Sequence, residues 1–352
     1  MANVREVRFG IVGCGMISEF QADAIQKVTG ARVIAFCDNI KAAAEARAAQ
    51  FGGVVYTNVD DLVRNPDIDA ISICTPSGLH MEAAVAAAEA KKHVMVEKPI
   101  EVTLERAEQI ISACRRNGVK LGAIFPRRFL DSSRVLKKAI DSGKFGTIVL
   151  ADVYIKWYRT QGYYASGGWR GTMRYDGGGA LMNQGIHGVD LLQWLMGGVQ
   201  SVSSFTATRA HTEIEVEDVA VASLRFRSGA LGVIEGTTGA WPGTKIRIEI
   251  SGSDGSVVME DESFLTWQFR NETPEDEEIR RQFGPEKSLL SGGASDPRAI
   301  SSEGHRRQFE DFVAAIREDR PPRIDGAEAR SAVAIITAIY RSARDHRVVT
   351  VE

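Results

Sequence analysis

Apolar positions follow two different rhythms along the 352 residues. In the first third, short apolar runs alternate with longer amphipathic stretches. Val7–Val12, Arg32–Cys37, Ala70–Cys74, His93–Val96 and Lys120–Phe125 read as strands, and Ser18–Val28, Lys41–Phe51, Met81–Lys91 and Leu104–Asn117 as helices between them. Strict strand–helix alternation predicts an α/β domain with a doubly wound parallel sheet. From about Thr147 the rhythm changes to successive extended runs: 147–157, 200–209, 218–227, 230–238, 245–251, 256–261 and 265–270, with Ser228-Gly229 and Ser253-Asp254-Gly255 as turns. That half predicts an α+β domain built on a large, mostly antiparallel open sheet, with a partly apolar free face suited to a subunit contact. The expected domains are 1–125 and 126–352. Asn271–Ala299 is polar, lacks a period and is expected to be a long excursion. Glu303–Ile316 and Ala327–Ala343 return to helical spacing.

Composition changes this picture little. Charged residues are 25% and hydrophobic residues 44%, so two ordinary globular cores are available. The net charge of −3 gives no field for nucleic acid or an anionic membrane. No run is long enough to span a bilayer and the first residues lack a signal-peptide pattern, so a cytoplasmic protein is expected. Cys14, Cys37, Cys74 and Cys114 form no CxxC and sit in or beside apolar runs, which suits buried, reduced thiols.

The first strand ends in Gly13-Cys14-Gly15-Met16-Ile17-Ser18 and opens a helix, the context a dinucleotide fingerprint requires. Glycines let the backbone approach a pyrophosphate, and the helix N-terminus offers free N–H groups; Ser18 stands at the small third position. Asp38 ends the second strand, 25 residues after Gly13; an acid about 20 residues on binds the ribose hydroxyls and disfavours a phosphate there. NAD is therefore favoured over NADP, with Lys41 nearby as a softening charge. Asp38 also suits an N-cap for the next helix. In doubly wound sheets ligands sit at the carboxyl ends of strands, which marks Thr75-Pro76, Glu97-Lys98-Pro99 and Pro126-Arg127-Arg128. From position alone, Lys98 is equally a phosphate contact, a surface charge or a proton-transfer group.

Further on, Gly177-Gly178-Gly179 precedes a helical stretch. At roughly 100° per residue, Asn183, His187 and Asp190 fall within about 60° of one another. Three polar groups sharing a face behind three glycines suggest a pocket wall approached closely by a ligand. A merely wet face is the plainer alternative.

The order and spacing of Gly13-x-Gly15-x-x-Ser18, Asp38, Thr75-Pro76 with His80, Glu97-Lys98-Pro99 and Asn183 to Asp190, together with the ending Gly304-His305 through Tyr340-Arg341, resemble the Gfo/Idh/MocA oxidoreductases over nearly the whole chain. The resemblance implies a Rossmann domain holding NAD (or NADP) through Gly13, Gly15, Met16, Ile17, Asp38, Thr75, Pro76, His80, Glu97 and Lys98. It also implies a second domain that forms dimers or tetramers through its sheet. By the same resemblance Lys98 lies at the nicotinamide and helps move the hydroxyl proton, Glu97 reaches the nicotinamide ribose, and His187 faces substrate. The family commonly has aspartate where this chain has Asn183. An amide cannot take a proton, though it can hydrogen-bond a hydroxyl.

Oxidising a secondary alcohol requires a base near the working pH, and because the resemblance puts Lys98 beside the nicotinamide, Lys98 ranks first as proton acceptor with His187 as co-donor. Lysine starts near about 10.4 and must be depressed, whereas histidine starts near about 6.5. Asp190, one turn beyond His187, either orients the imidazole or bonds backbone; the three polar groups make a poor metal site. The loop Tyr158–Arg170 carries rings and guanidinium groups on glycines, which suits a sugar as well as a packed surface loop; Tyr163 and Arg170 are the expected contacts, with Arg127 a further candidate. His305 is read as either a pocket residue or a capping one. The expected activity is hydride transfer to or from a ring hydroxyl of a sugar, sugar derivative or cyclitol. The alternatives are a dihydrodiol-type dehydrogenase or reductase, or a dinucleotide-binding sensor without turnover.

Overall fold

The computed structural model describes residues 6–285 and 302–352, which fall into two compact units. The first comprises the chain up to Pro126 and a return segment ending at Arg330. Its sheet contains β1 (Val7–Val12), β2 (Ala31–Cys37), β3 (Val54–Tyr56), β4 (Ala70–Ile73), β5 (His93–Val96) and β6 (Leu121–Ala123). The strands lie in the order β3-β2-β1-β4-β5-β6, all parallel. Order reverses next to β1, which is where a doubly wound sheet opens its ligand crevice. Most strand positions are buried, as helices on both faces require.

The boundary at 125/126 is crossed by the return segment, a difference from the expected assignment of everything beyond 125 to the second domain. The helix Glu303–Arg317 explains it: Phe309 and Phe312 are wholly buried and meet Phe9 of β1 with ring centroids 5.8 and 6.4 Å apart. Gln308 on that helix accepts from Phe125 N at 3.0 Å and donates to the carbonyl of Ala123, satisfying the end of β6. These partners are nearly two hundred positions apart in sequence, so amphipathic spacing alone leaves the helix unassigned.

The second unit runs from Arg127 and takes in Ser331–Glu352. Its strands are β7 (Ile148–Lys156), β8 (Val199–Ala207), β9 (Val219–Phe226), β10 (Leu231–Thr237), β11 (Arg247–Gly252), β12 (Gly255–Glu260), β13 (Ser263–Phe269) and β14 (Val349–Thr350). They form one sheet ordered β13-β12-β11-β7-β10-β9-β8-β14, antiparallel except where β10 pairs with β7. Alternation such as Val219 to Phe226, buried at every second position, leaves one face covered and one open.

Part of the stretch expected to be irregular is a helix, Pro274–Phe283. Its apolar content is too low for a period, but Thr273 and Asp276 form a capping box with proline at the first turn. The rest of that expectation, from 286 to 299, lies outside the described residues. Asp276 is wholly buried and accepts from Lys144 Nζ at 2.5 Å, Trp267 Nε1 at 2.7 Å and Thr273 N at 2.7 Å. Burial alone would raise its pKa; these donors, Lys144 foremost, bring it to about 2. A depressed carboxylate stabilises the fold above its unfolded pKa, near about 3.9, and loses that contribution as pH falls through the folded value. Asp276→Asn should therefore cost about 2 kcal/mol at neutral pH and flatten the acid limb of stability between pH ~4 and ~2, measured by denaturant unfolding across pH.

Candidate active site

In the first unit the glycine turn is fixed by close approach. Gly13 has φ +88°, and a Cβ there would lie 2.7 Å from the carbonyl carbon of Cys74 and the nitrogen of Thr75, so no side chain fits. Gly15 faces open space, and the helix Met16–Gln26 that follows has no side-chain cap. Uncapped N–H groups beside an open backbone are what a pyrophosphate needs. Ser18 is wholly buried and donates to Gly15 O at 2.6 Å, keeping the packing a third glycine would give.

Asp38 braces the same turn: one oxygen accepts from Cys14 N at 2.8 Å and the other from Ile40 N at 2.8 Å. The helix cap is Ile40, so Asp38 makes a turn just ahead of the helix in place of the expected cap. Each oxygen keeps acceptor capacity for a ribose hydroxyl. Burial, with Asp38 next in effect, pushes the Cys14 thiol up to about 12, so it remains neutral. Lys41 pairs with Glu45 on the surface, whereas Arg47, which the sequence did not mark, donates to Gly15 O and Ser18 Oγ at 3.2 Å each.

At the ends of β4 and β5, Thr75 Oγ1 is buried with no hydrogen-bond partner among the described residues. His80 differs from the expected cofactor contact. It is 1% exposed and its ring nitrogens lie 2.9 Å from Pro99 O and 3.0 Å from Thr75 O, so it ties those two loops together. Burial lowers its pKa, opposed by the Glu101 charge and the two carbonyls. Glu97 is also buried: Gln21 Nε2 donates to it at 2.5 Å, Ser72 donates to Gln21, and Lys98 N donates to its second oxygen at 3.1 Å. Burial pushes its carboxyl up, with Lys98 as the main opposing charge. Lys98 is the single residue from Val94 to Val102 that is not buried. His305 lies buried in this unit too.

The second unit repeats that pattern at His187, the single residue from Asp176 to Gln193 that is not buried. The expected face of three polar groups is corrected. Ala180–Gly185 is a π-helical turn, closed by Gln184 N to Gly179 O at 3.3 Å, and the α-helix begins at Ile186. A wider turn breaks the rotation of 100° per residue assumed from sequence, and such turns gather at functional sites. Asn183 is buried, donating to Asp176 and accepting from Gln184 Nε2 at 2.7 Å. Asp190 is held by Arg128 through two bonds of 2.8 and 2.6 Å, with both side chains buried. The glycines, expected to admit a ligand, admit protein. A Cβ on Gly178 would meet Tyr340 Oη at 2.2 Å, and one on Gly179 would meet Glu217 O at 2.0 Å.

The aromatic loop joins this segment. Gln184 Nε2 donates to Tyr163 Oη at 2.8 Å, and Arg159 Nε donates to Gln184 Oε1 at 2.9 Å. Arg159 and Arg170 lie over Tyr163 at 5.5 and 4.8 Å, and Arg170 lies 4.9 Å from Trp169 as well. Arg170 Nη1 donates to Ser166 O at 2.9 Å, while its Nε is buried without a partner among the described residues. The loop itself is pinned by His211, whose ring bridges Asp218 Oδ2 at 3.0 Å and Arg159 O at 2.8 Å. Arg127 Nη2 pairs with buried Asp261 at 2.9 Å, a partner that its sequence position does not suggest. Tyr163, Arg170 and Asn183 are thus brought together. Gln184, Arg159, Asp176 and Glu217 were missed, and only their polar character inside apolar or glycine-rich stretches could have marked them.

Comparison with known proteins agrees with these two sets of features. The family model described as an oxidoreductase family NAD-binding Rossmann fold matches residues 7–125, and that described as the oxidoreductase family C-terminal alpha/beta domain matches 137–351. Inositol 2-dehydrogenase of Rhizobium meliloti (strain 1021) is 28% identical over 360 residues, covering 98% of this chain and 99% of its own. The 1,5-anhydro-D-fructose reductase of Ensifer adhaerens is 30% identical over 254 residues, 71% of this chain and 75% of its own. The WlbA dehydrogenase from Bordetella pertussis, solved in complex with NADH and UDP-GlcNAcA, superposes with a TM-score of 0.89 at 36% identity, covering 99% of this chain and 98% of that one. The fingerprint turn, the lysine after β5 and the matched length of both family models lead to one conclusion: the chain belongs to the Gfo/Idh/MocA oxidoreductase family and carries its NAD-binding Rossmann domain.

Proposed function

We propose that this oxidoreductase transfers hydride between NAD and a secondary ring hydroxyl of a sugar, and that its substrate class is a nucleotide-activated sugar acid. The observation that carries the substrate class is Arg170. Its guanidinium lies against Trp169 and Tyr163, and one end is held by Ser166. A planar cation fixed in this way is suited to a carboxylate or phosphate. The 36% identity to a dehydrogenase solved with UDP-GlcNAcA supports the same class.

Gly13, Gly15, the N-terminus of the helix from Met16, Asp38 and Thr75 would hold the cofactor, which when bound supplies the hydride acceptor. Lys98 takes the hydroxyl proton and His187 hydrogen-bonds the sugar. Asn183, locked between Asp176 and Gln184, orients its neighbours and carries no proton. Run in the reducing direction, Lys98 returns the proton.

Arg170→Met should raise KM for UDP-GlcNAcA by about tenfold or more, the loss expected for a charged hydrogen bond, and leave KM for UDP-N-acetylglucosamine, which has the same diphosphate but no sugar carboxylate, within about twofold. Equal effects on both would remove the carboxylate assignment. A second reading, oxidation of a cyclitol, is favoured by the full-length match to inositol 2-dehydrogenase; turnover of myo-inositol with NAD, and none of UDP-GlcNAcA, would establish it instead.

We further propose a homodimer or homotetramer formed through the open face of the second sheet. Phe205 is 77% exposed and stands opposite Val221, and Leu231 opposite Leu150, all uncovered. Light scattering of wild type and Phe205→Glu tests this, the variant being expected to shift towards monomer. A cytoplasmic location is proposed from the four buried thiols, none of them in a disulfide. No helix among the described residues is long and apolar enough to cross a membrane.

A further inference from the structure

One residue meets three consecutive backbone donors at the start of the π turn. Glu217 accepts from Gly179 N through Oε2 at 2.9 Å, from Ala180 N through its own carbonyl at 3.0 Å, and from Leu181 N through Oε1 at 2.8 Å. Tyr340 Oη donates to Oε1 at 2.8 Å. Glu217 and Tyr340 both belong to the second unit, as does the turn. Helix starts ordinarily share their free N–H groups among a cap side chain, water and ligand. Here a buried carboxylate and its backbone take all three, and a negative charge at this end of a helix is favourable.

The two glycines follow from this contact. Gly179 has no Cβ because the Glu217 carbonyl occupies that place, and Gly178, at φ +158°, has none because Tyr340 Oη occupies it. Burial holds the Tyr340 phenol well above its ordinary range, so it stays a donor. Downstream, the turn whose first donors are fixed in this way holds Asn183 and Gln184 before the α-helix begins at Ile186, one residue ahead of His187. Ordinary α winding from the same start would move each of these side chains to a different angular position.

We infer that Glu217, latched by Tyr340, is a positioning residue: it holds the wide turn open and so sets the direction of Asn183, Gln184 and His187 towards the sugar. This rests on the proposed sugar oxidation. It assigns no proton transfer to Glu217 itself, which is buried away from solvent.

The test uses the full chain as wild type, Glu217→Gln and Tyr340→Phe. Glutamine keeps the size but replaces one acceptor oxygen by a donor, which opposes one of the two amides. Amide exchange followed by mass spectrometry should rise about tenfold or more in peptides covering 177–185 of Glu217→Gln, and less in Tyr340→Phe, with Rossmann peptides unchanged. With UDP-GlcNAcA and NAD, kcat of Glu217→Gln should fall about tenfold or more while KM for NAD stays put. Tyr340→Phe, which removes a single hydroxyl, serves if the glutamine variant does not fold. Unchanged exchange at 177–185 overturns the latch, as does faster exchange with unchanged kcat, which would make Glu217 a stability residue alone. If wild type fails to oxidise UDP-GlcNAcA, that outcome counts against the substrate class, and the exchange of the two variants still decides the latch.

Discussion

Lys98→Met should lower the rate of hydride transfer by about 10²–10⁴-fold, the usual contribution of a positioned general base. NADH binding, titrated by the fluorescence of the reduced nicotinamide, stays close to wild type, because the glycine turn, the helix from Met16 and Asp38 are untouched. Methionine matches the lysine stem in length and apolar character, so Glu97 continues to accept from the backbone N–H of residue 98. His187→Asn, which keeps a hydrogen-bonding group but cannot change charge, loses less. Both residues are candidates because each is the single residue not fully buried in a long buried stretch, and Lys98 ranks first because the family resemblance sets it beside the nicotinamide. If the lysine variant keeps near-normal rates while the histidine variant is inactive, the two roles are exchanged.

Arg128→Met should destabilise the second unit by about 3–5 kcal/mol. The guanidinium makes two bonds to Asp190, neither side chain is more than 3% exposed, and it lies 5.7 Å from the centre of the Trp194 ring. Removing one partner strands a charge where water cannot reach it. Changing both, Arg128→Met with Asp190→Leu, should recover much of the loss, since an apolar pair of similar volume has no ion to desolvate. Denaturant midpoints of the two single variants and the double variant measure the coupling. A double variant as unstable as the sum of the singles would mean that the pair stabilises through other contacts.

The alternating rhythm made most of both sheets legible. Strands such as Val7–Val12 and Val219–Phe226 carry their own local signal, five or more apolar or alternating positions bounded by glycine or charge. Val54–Tyr56 does not: three residues after a glycine pair are too short to show a period. Pro274–Phe283 buries only Asp276 and Ile279, so its evidence lay in Thr273 and Asp276 as a cap. Within the candidate site, single-segment features were readable: the glycine turn, Asp38 after β2, Lys98 after β5 and His187 after the triple glycine. Contacts that join distant segments were not. Asp190 meets Arg128 and Gly179 meets Glu217, and neither pairing leaves a mark in local spacing. The π turn was hidden for a related reason, since its winding depends on donors being taken by a residue 36 positions away from Leu181.

Oxidation of a sugar hydroxyl with NAD through Lys98 can be followed directly. Wild type and Lys98→Met, each saturated with NAD, should be mixed with UDP-GlcNAcA, UDP-N-acetylglucosamine and myo-inositol in turn while reduced nicotinamide is followed in a single turnover. Wild type should reduce NAD rapidly with UDP-GlcNAcA, and the lysine variant at least about a hundredfold more slowly at equal cofactor occupancy. Cofactor binding without reduction by any of the three compounds, or reduction at the same rate in both proteins, would contradict this assignment.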